Sequence, residues 1–132
     1  MKIKVVSIPV SDQQHALEFY TETLGFETKH DIPLGGGNRW LTVVSSEEPD
    51  GPQFLLEPAP LHFEPSKVYQ KALYDAGMPC NQISVDDIKA EHERLSAKGV
   101  EFSMEPTDVG GAKIAIFDDT CGNFLQLIQE GA

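Results

Sequence analysis

The groups in this 132-residue chain that could carry chemistry are two cysteines, four histidines, one tryptophan and a few polar residues phased along strands. Cys80 and Cys121 lack the paired spacing of a zinc site or a redox motif. No His or basic residue adjoins Cys80 in sequence, so it reads as a small core hydrophobe rather than a nucleophile. His15 and His92 fall in helical patterns and His30 at a strand end. His62 lies in a Pro-rich link from which it could reach a pocket mouth. Gly35-Gly36-Gly37 lacks the spacing and the Lys-Ser/Thr ending of a phosphate loop, and a strand rather than a helix follows it. Nucleophile triads are absent as well. What remains is binding chemistry. Trp40, beside Arg39, could pack in a core or wall a ligand. Gln53 and Gln126 sit in strand patterns as core amides or ligand contacts, and Glu57 ends a strand just before Pro58.

The elements that must position these residues come in two copies. Ile8 to Glu27, IPVSDQQHALEFYTETLGFE, returns in degenerate form as Ile83 to Glu101, ISVDDIKAEHERLSAKGVE. Val10 matches Val85 and Gly25 matches Gly99, so the spacing differs by a single residue, and two copies suit a pseudo-symmetric fold. In the first copy Lys2 to Val10 is rich in Val and Ile and reads as a strand. Ser11 with Gln14 has capping-box spacing, and the helix is expected from about Asp12. Ala16, Phe19, Tyr20, Thr23 and Leu24 form its apolar stripe, with Glu18 and Glu22 outward. Phe26 to Ile32, Arg39 to Val44 and Gln53 to Glu57 read as strands, with Pro33 to Asn38 as a turn.

The second copy repeats this order. Strand Cys80 to Val85, helix Asp87 to Ala97, and strands Val100 to Glu105, Lys113 to Phe117 and Phe124 to Gln129 follow one another. Residues 58–79 link the copies through PAPLHFEP and a short helix over Ser66 to Ala76, stopped by Gly77 and Pro79. The expected organisation is one domain, 1–132, with unit 1 over about 3–57 and unit 2 over about 80–130. The fold class is α+β.

Composition bounds the partners. With 40% apolar residues the chain can fill a core. Ten Lys+Arg against 21 Asp+Glu give a net charge of -11, which repels phosphate backbones and anionic membranes and favours a cationic ligand. Nucleic acid and membrane are therefore excluded as expected partners. Reduced cysteines and the lack of a signal-peptide pattern point to a cytoplasmic location.

VSDQQHALEFYTETLGFE, the midpoint strand with VDD, and the closing FDDTCGNFLQLIQ together resemble the vicinal oxygen chelate superfamily. It holds glyoxalase I, bleomycin and fosfomycin resistance proteins and extradiol dioxygenases. The resemblance covers about residues 3–130 and implies two βαβββ units whose curled mixed sheets form a cup, usually completed by a homodimer. It also implies four ligand positions for a divalent metal in catalytic members. Carried onto this chain, these fall on Val5, on Gln53 if QFL is aligned with QLI (Glu57 being the other choice), near Cys80, and on Gln126. Val, Gln, Cys and Gln are a poor donor set for nickel, zinc or iron. The expectation is a degenerate metal site with no metal and no cofactor, and a small organic molecule held by Trp40, Gln53, Glu57, Cys80 and Gln126. The alternative is a metal-dependent lyase, isomerase or dioxygenase, lactoylglutathione lyase-like.

Overall fold

Each copy of the repeat begins with a strand that runs into an aspartate cap. Asp12 and Asp87 both adopt extended backbone, and their carboxylates accept from the amides of His15 and Ala90, three residues on. That bond satisfies one of the orphan donors of a helix start. The cap of the first helix is thus Asp12, not the Ser11 box the spacing suggested. A carboxylate accepts more strongly than a hydroxyl.

The computed structural model describes residues 1–59 and 63–131; His62 lies outside them. Contacts divide the chain into two compact units, 1–70 and 71–132. Unit 1 contains β1 (Val5–Val10), α1 (Gln13–Glu18) running into a π-helical segment (Phe19–Thr23), β2 (Glu27–Gly35), β3 (Asn38–Val44) and β4 (Gln53–Pro58). Helix α2 (Glu64–Asp75) follows, and the division between the units falls within it. Unit 2 contains β5 (Pro79–Ser84), α3 (Ile88–Ala97), β6 (Phe102–Asp108), β7 (Ala112–Asp118) and β8 (Phe124–Glu130). Two βαβββ units are therefore present, as the repeat implied.

The sheets have the same topology. The order is β1-β4-β3-β2 in unit 1 and β5-β8-β7-β6 in unit 2, each unclosed and mixed, with β1 parallel to β4 and β5 parallel to β8. In each unit the helix is the crossover that a parallel pair requires. Glycines Gly25 and Gly99 end the two helical segments at φ of +91° and +88°, a conformation that costs glycine little and other residues more. That requirement explains why the glycine spacing survives in both copies.

One face of each sheet packs on its own helix. In unit 1 Ile8, Val10, Leu41, Val43 and Leu56 are buried with Ala16 and Tyr20. Tyr20, Phe26 and Phe54 form an aromatic cluster, with Phe26 and Phe54 edge to face at 5.9 Å. In unit 2 Ile88 and Leu95 are buried with Ala115, Phe117, Leu125 and Leu127, and His92 packs edge-on against Phe102. Strand alternation sends the intervening residues to the opposite face, which is open in unit 2, whereas in unit 1 Thr42, Val44, Gln53 and Leu55 on it are buried.

Two local expectations are corrected. Strand β2 continues through Pro33 and Leu34, so the turn is confined to the glycines; edge position makes Pro33 tolerable because its missing N–H faces outward. His30 consequently lies inside β2 rather than at a strand end. Gln13 is buried at 5% exposure. Its Nε2 donates to the carbonyls of Arg39 and Leu56 while its Oε1 accepts from Arg39 N–H, at 2.7–3.0 Å.

Candidate functional site

The face of the unit 1 sheet opposite α1 carries three of the residues singled out from the sequence. Trp40, Gln53 and Glu57 have the strand phase opposite to the helix-facing Leu41, Phe54 and Leu56. They differ in access: Trp40 is 36% exposed and Gln53 only 4%. Glu57 lies opposite Pro9 in the β1–β4 ladder and accepts a hydrogen bond from the Ser7 hydroxyl on the neighbouring strand.

Cys80 and Gln126 belong to unit 2. Cys80 sits where the β5–β8 ladder bulges between Pro79 and Asn81. Burial, reinforced by the nearby Asp119 charge, pushes its thiol up to about 12. The sulfur is therefore protonated at neutral pH, and a thiol is neither the nucleophile nor the metal-binding form.

Gln126 has a partner that sequence reasoning missed. It stands directly beside Gln82 in the parallel β5–β8 ladder, and its Nε2 donates to Gln82 Oε1 at 2.5 Å. On the other side it lies opposite Ile116 of β7. Ile114 pairs with Ile128, and Ile128 with Ser84. The open face of unit 2 thus presents an amide pair beside an isoleucine patch. At one end Tyr74 stacks on Phe124 with ring centroids 4.6 Å apart and planes 8° from parallel. Its hydroxyl donates to Asp118 at 2.5 Å, and that bond raises the Tyr74 pKa, with burial adding to it. The signal available in the sequence was the phase of Gln82 and Ser84 in CNQIS.

Strand register corrects the alignment of QFL with QLI. Val44 pairs with Gln53 and Thr42 with Leu55 in unit 1, whereas Asp118 pairs with Phe124 and Ile116 with Gln126 in unit 2. Since both sets of pairs join the third and fourth strands of a unit, the counterpart of Gln126 is Leu55, and that of Gln53 is Phe124. The donor set becomes Val5, Leu55, Cys80 and Gln126, or the same with Glu57. Two hydrocarbons, a neutral thiol and an amide do not fit a divalent transition metal.

Two concavities lie on the helix side of the sheets. One of about 610 Å3 in unit 2 is bounded by Asp86, Lys89, His92, Glu105 and Lys113. Its counterpart in unit 1, about 150 Å3, lies beside Gln13 and Arg39. The Arg39 guanidinium is held there by Asp31 at 2.8 and 3.0 Å and by Gln14 at 2.9 Å. Arg39 holds the Asp31 carboxyl below its usual range, chiefly through that hydrogen bond. Among the described residues, no group of three or more His, Cys, Asp or Glu could hold a metal ion, and no helix is long and apolar enough to cross a membrane.

Comparison with known proteins places these features. The family model described as Glyoxalase/Bleomycin resistance protein/Dioxygenase superfamily matches residues 2–127. The uncharacterized protein YurT of Bacillus subtilis (strain 168) is 50% identical over 130 residues, covering 98% of this chain and 100% of that one. The crystal structure of UcmS2 superposes with a TM-score of 0.81 at 33% identity, covering 97% of each chain. TnmS3, an antibiotic binding protein from Streptomyces sp. CB03234, superposes with a TM-score of 0.77 at 29% identity, covering 98% of this chain and 96% of its own.

Proposed function

Because this chain belongs to the glyoxalase/bleomycin resistance protein/dioxygenase superfamily and places two hydrocarbons, a neutral thiol and an amide at the ligand positions, we propose that it binds a small organic molecule without a metal. The carrying observation is the Gln82–Gln126 pair beside Ile114, Ile116 and Ile128. A mostly apolar wall with a few convergent polar groups is the usual make-up of a small-molecule site. Amides orient a ligand by donating and accepting, and supply neither a general base nor a nucleophile. Similarity to an antibiotic binding protein supports the same reading. The net charge of -11 favours ligands with a basic group.

A thermal-shift screen of the purified protein against aromatic antibiotics and cationic drugs tests this reading. A saturable rise in melting temperature, unchanged by a chelator, is expected for at least one compound class. Turnover of a hemithioacetal or a catechol that requires added nickel, zinc or iron would overturn it in favour of the enzyme.

A further inference from the structure

We propose that Gln82 and Gln126 act as one recognition unit for a neutral ligand group that carries a hydrogen-bond donor and an acceptor side by side, such as a lactam or other cyclic amide. The proposal deepens the small-molecule reading and rests on it.

A primary amide has one acceptor oxygen and two N–H donors. When two amides bond to each other, one spends an N–H and the other a carbonyl lone pair. Here Gln126 spends an N–H on Gln82 Oε1. The outer edge of the pair then offers the Gln126 carbonyl as acceptor and the Gln82 NH2 as donor. Reversing both amides exchanges the two roles but leaves the same complementary edge.

The backbone fixes this edge. Gln82 and Gln126 are register partners on adjacent parallel strands, so their side chains leave one face at the ladder spacing of about 4.8 Å. Gln82 is exposed and Gln126 half-buried, which leaves the outer edge in reach of a ligand. A carboxylate meets a donor at only one end of such an edge, and an ammonium meets an acceptor at only one end. A lactam satisfies both. Ile116, opposite Gln126 on β7, provides apolar surface for the ring that carries the amide.

The test uses three flat probes of nearly equal area: 2-quinolone, with donor and acceptor adjacent; 2-methoxyquinoline, an acceptor only; and quinoline-2-carboxylate, an anion. Each is titrated into labelled protein by NMR. The Ile114, Ile116 and Ile128 methyls report occupancy of the face, and the Gln82 and Gln126 side-chain amides report the polar contact. The expected result is roughly fivefold tighter binding of 2-quinolone than of the other two, the size of one net hydrogen bond, with its largest shifts on the two amides. In Gln82→Leu and Gln126→Leu that preference falls below about twofold while isoleucine shifts persist. Gln82→Glu, at an exposed position, replaces donors by acceptors and should transfer the preference to protonated 2-aminoquinoline. Equal binding of all three probes, with isoleucine shifts in each, would overturn the donor–acceptor recognition and leave the small-molecule reading standing. Absence of isoleucine shifts with every probe at millimolar concentration would overturn both.

Discussion

Asp119 and Asn123 close the β7–β8 turn on each other: Asn123 donates its backbone and side-chain N–H groups to the two Asp119 carboxylate oxygens at 3.0 and 2.8 Å. The Cys121 amide adds a third bond at 2.7 Å, and Asp119 is fully buried. The turn delivers Phe124 and Gln126 to the open face of unit 2. Asp119→Ala would strand buried N–H groups and is expected to cost about 3 kcal/mol, because bonds to a charged acceptor are the strong ones. Urea unfolding should show a lower midpoint with an unchanged m-value; a midpoint within error of the wild type would show that the turn holds without its carboxylate.

Gln13 has the corresponding role in unit 1. Three bonds tie its amide to the backbone of β3 and β4. Gln13→Ala should destabilise by about 2 kcal/mol, more than Gln14→Ala at the exposed neighbouring position, since only the first leaves buried backbone groups unpaired. Equal losses for the two variants would show that water replaces the Gln13 amide.

Much of the fold was legible because its signals are local. Asp12 and Asp87 cap by reaching three residues on, and Gly25 and Gly99 are chosen by backbone angle alone, so their spacing marks both copies in the bare sequence. The site depends on strand register, which is set at a distance. The bulge between Pro79 and Asn81 brings Gln82 rather than Asn81 beside Gln126, and no local pattern encodes that. The same limit explains why QFL was matched to QLI although register makes Leu55 the counterpart of Gln126. Gln13 was hidden for another reason: a polar residue in a helical pattern is outward by default, and its three partners lie 26 and 43 residues away.

The Cys80 thiol provides a pH prediction. Its folded pKa is raised from 9.0 to about 12, so above pH 9 the unfolded chain binds fewer protons than the folded one. Stability from the neutral thiol is therefore fully present below pH 9 and is lost as pH rises through 9 to 12. Alkylation by iodoacetamide at pH 8, located by mass spectrometry, should label Cys80 slowly in native protein and rapidly in urea. Native labelling as fast as that of a free thiol would show that burial does not protect it.

Assembly is expected to be homodimeric. Both sheets are open, and edge strand β2 carries Ile32 and Leu34 at 50% and 58% exposure. An uncovered edge with apolar side chains invites pairing, and a second copy supplies a symmetric partner. Sedimentation at micromolar concentration should give one species at twice the 14.5 kDa chain mass. A single species at the chain mass would contradict it.

Metal binding is expected to be weak, for reasons that differ at each position. Val5 and Leu55 have no donor atoms. Cys80 would have to lose a proton held to about pH 12, so binding would be penalised at neutral pH and would improve only as pH rises. Gln126 already gives an N–H to Gln82, and its remaining carbonyl is an uncharged oxygen, a weak ligand for nickel or zinc beside imidazole or carboxylate. Glu57 brings the one charge, and it accepts from Ser7. Calorimetric titration with nickel, zinc and iron(II) at pH 7.5 should therefore show no stoichiometric binding at micromolar concentration. Gln126→Glu restores a carboxylate but leaves the other positions unchanged, so it should gain no more than about tenfold in affinity, the effect of one added charge at a part-exposed site. Micromolar, one-to-one binding by the wild type would mean that another set of donors is in use, and the metal-free reading would give way to the enzymatic one.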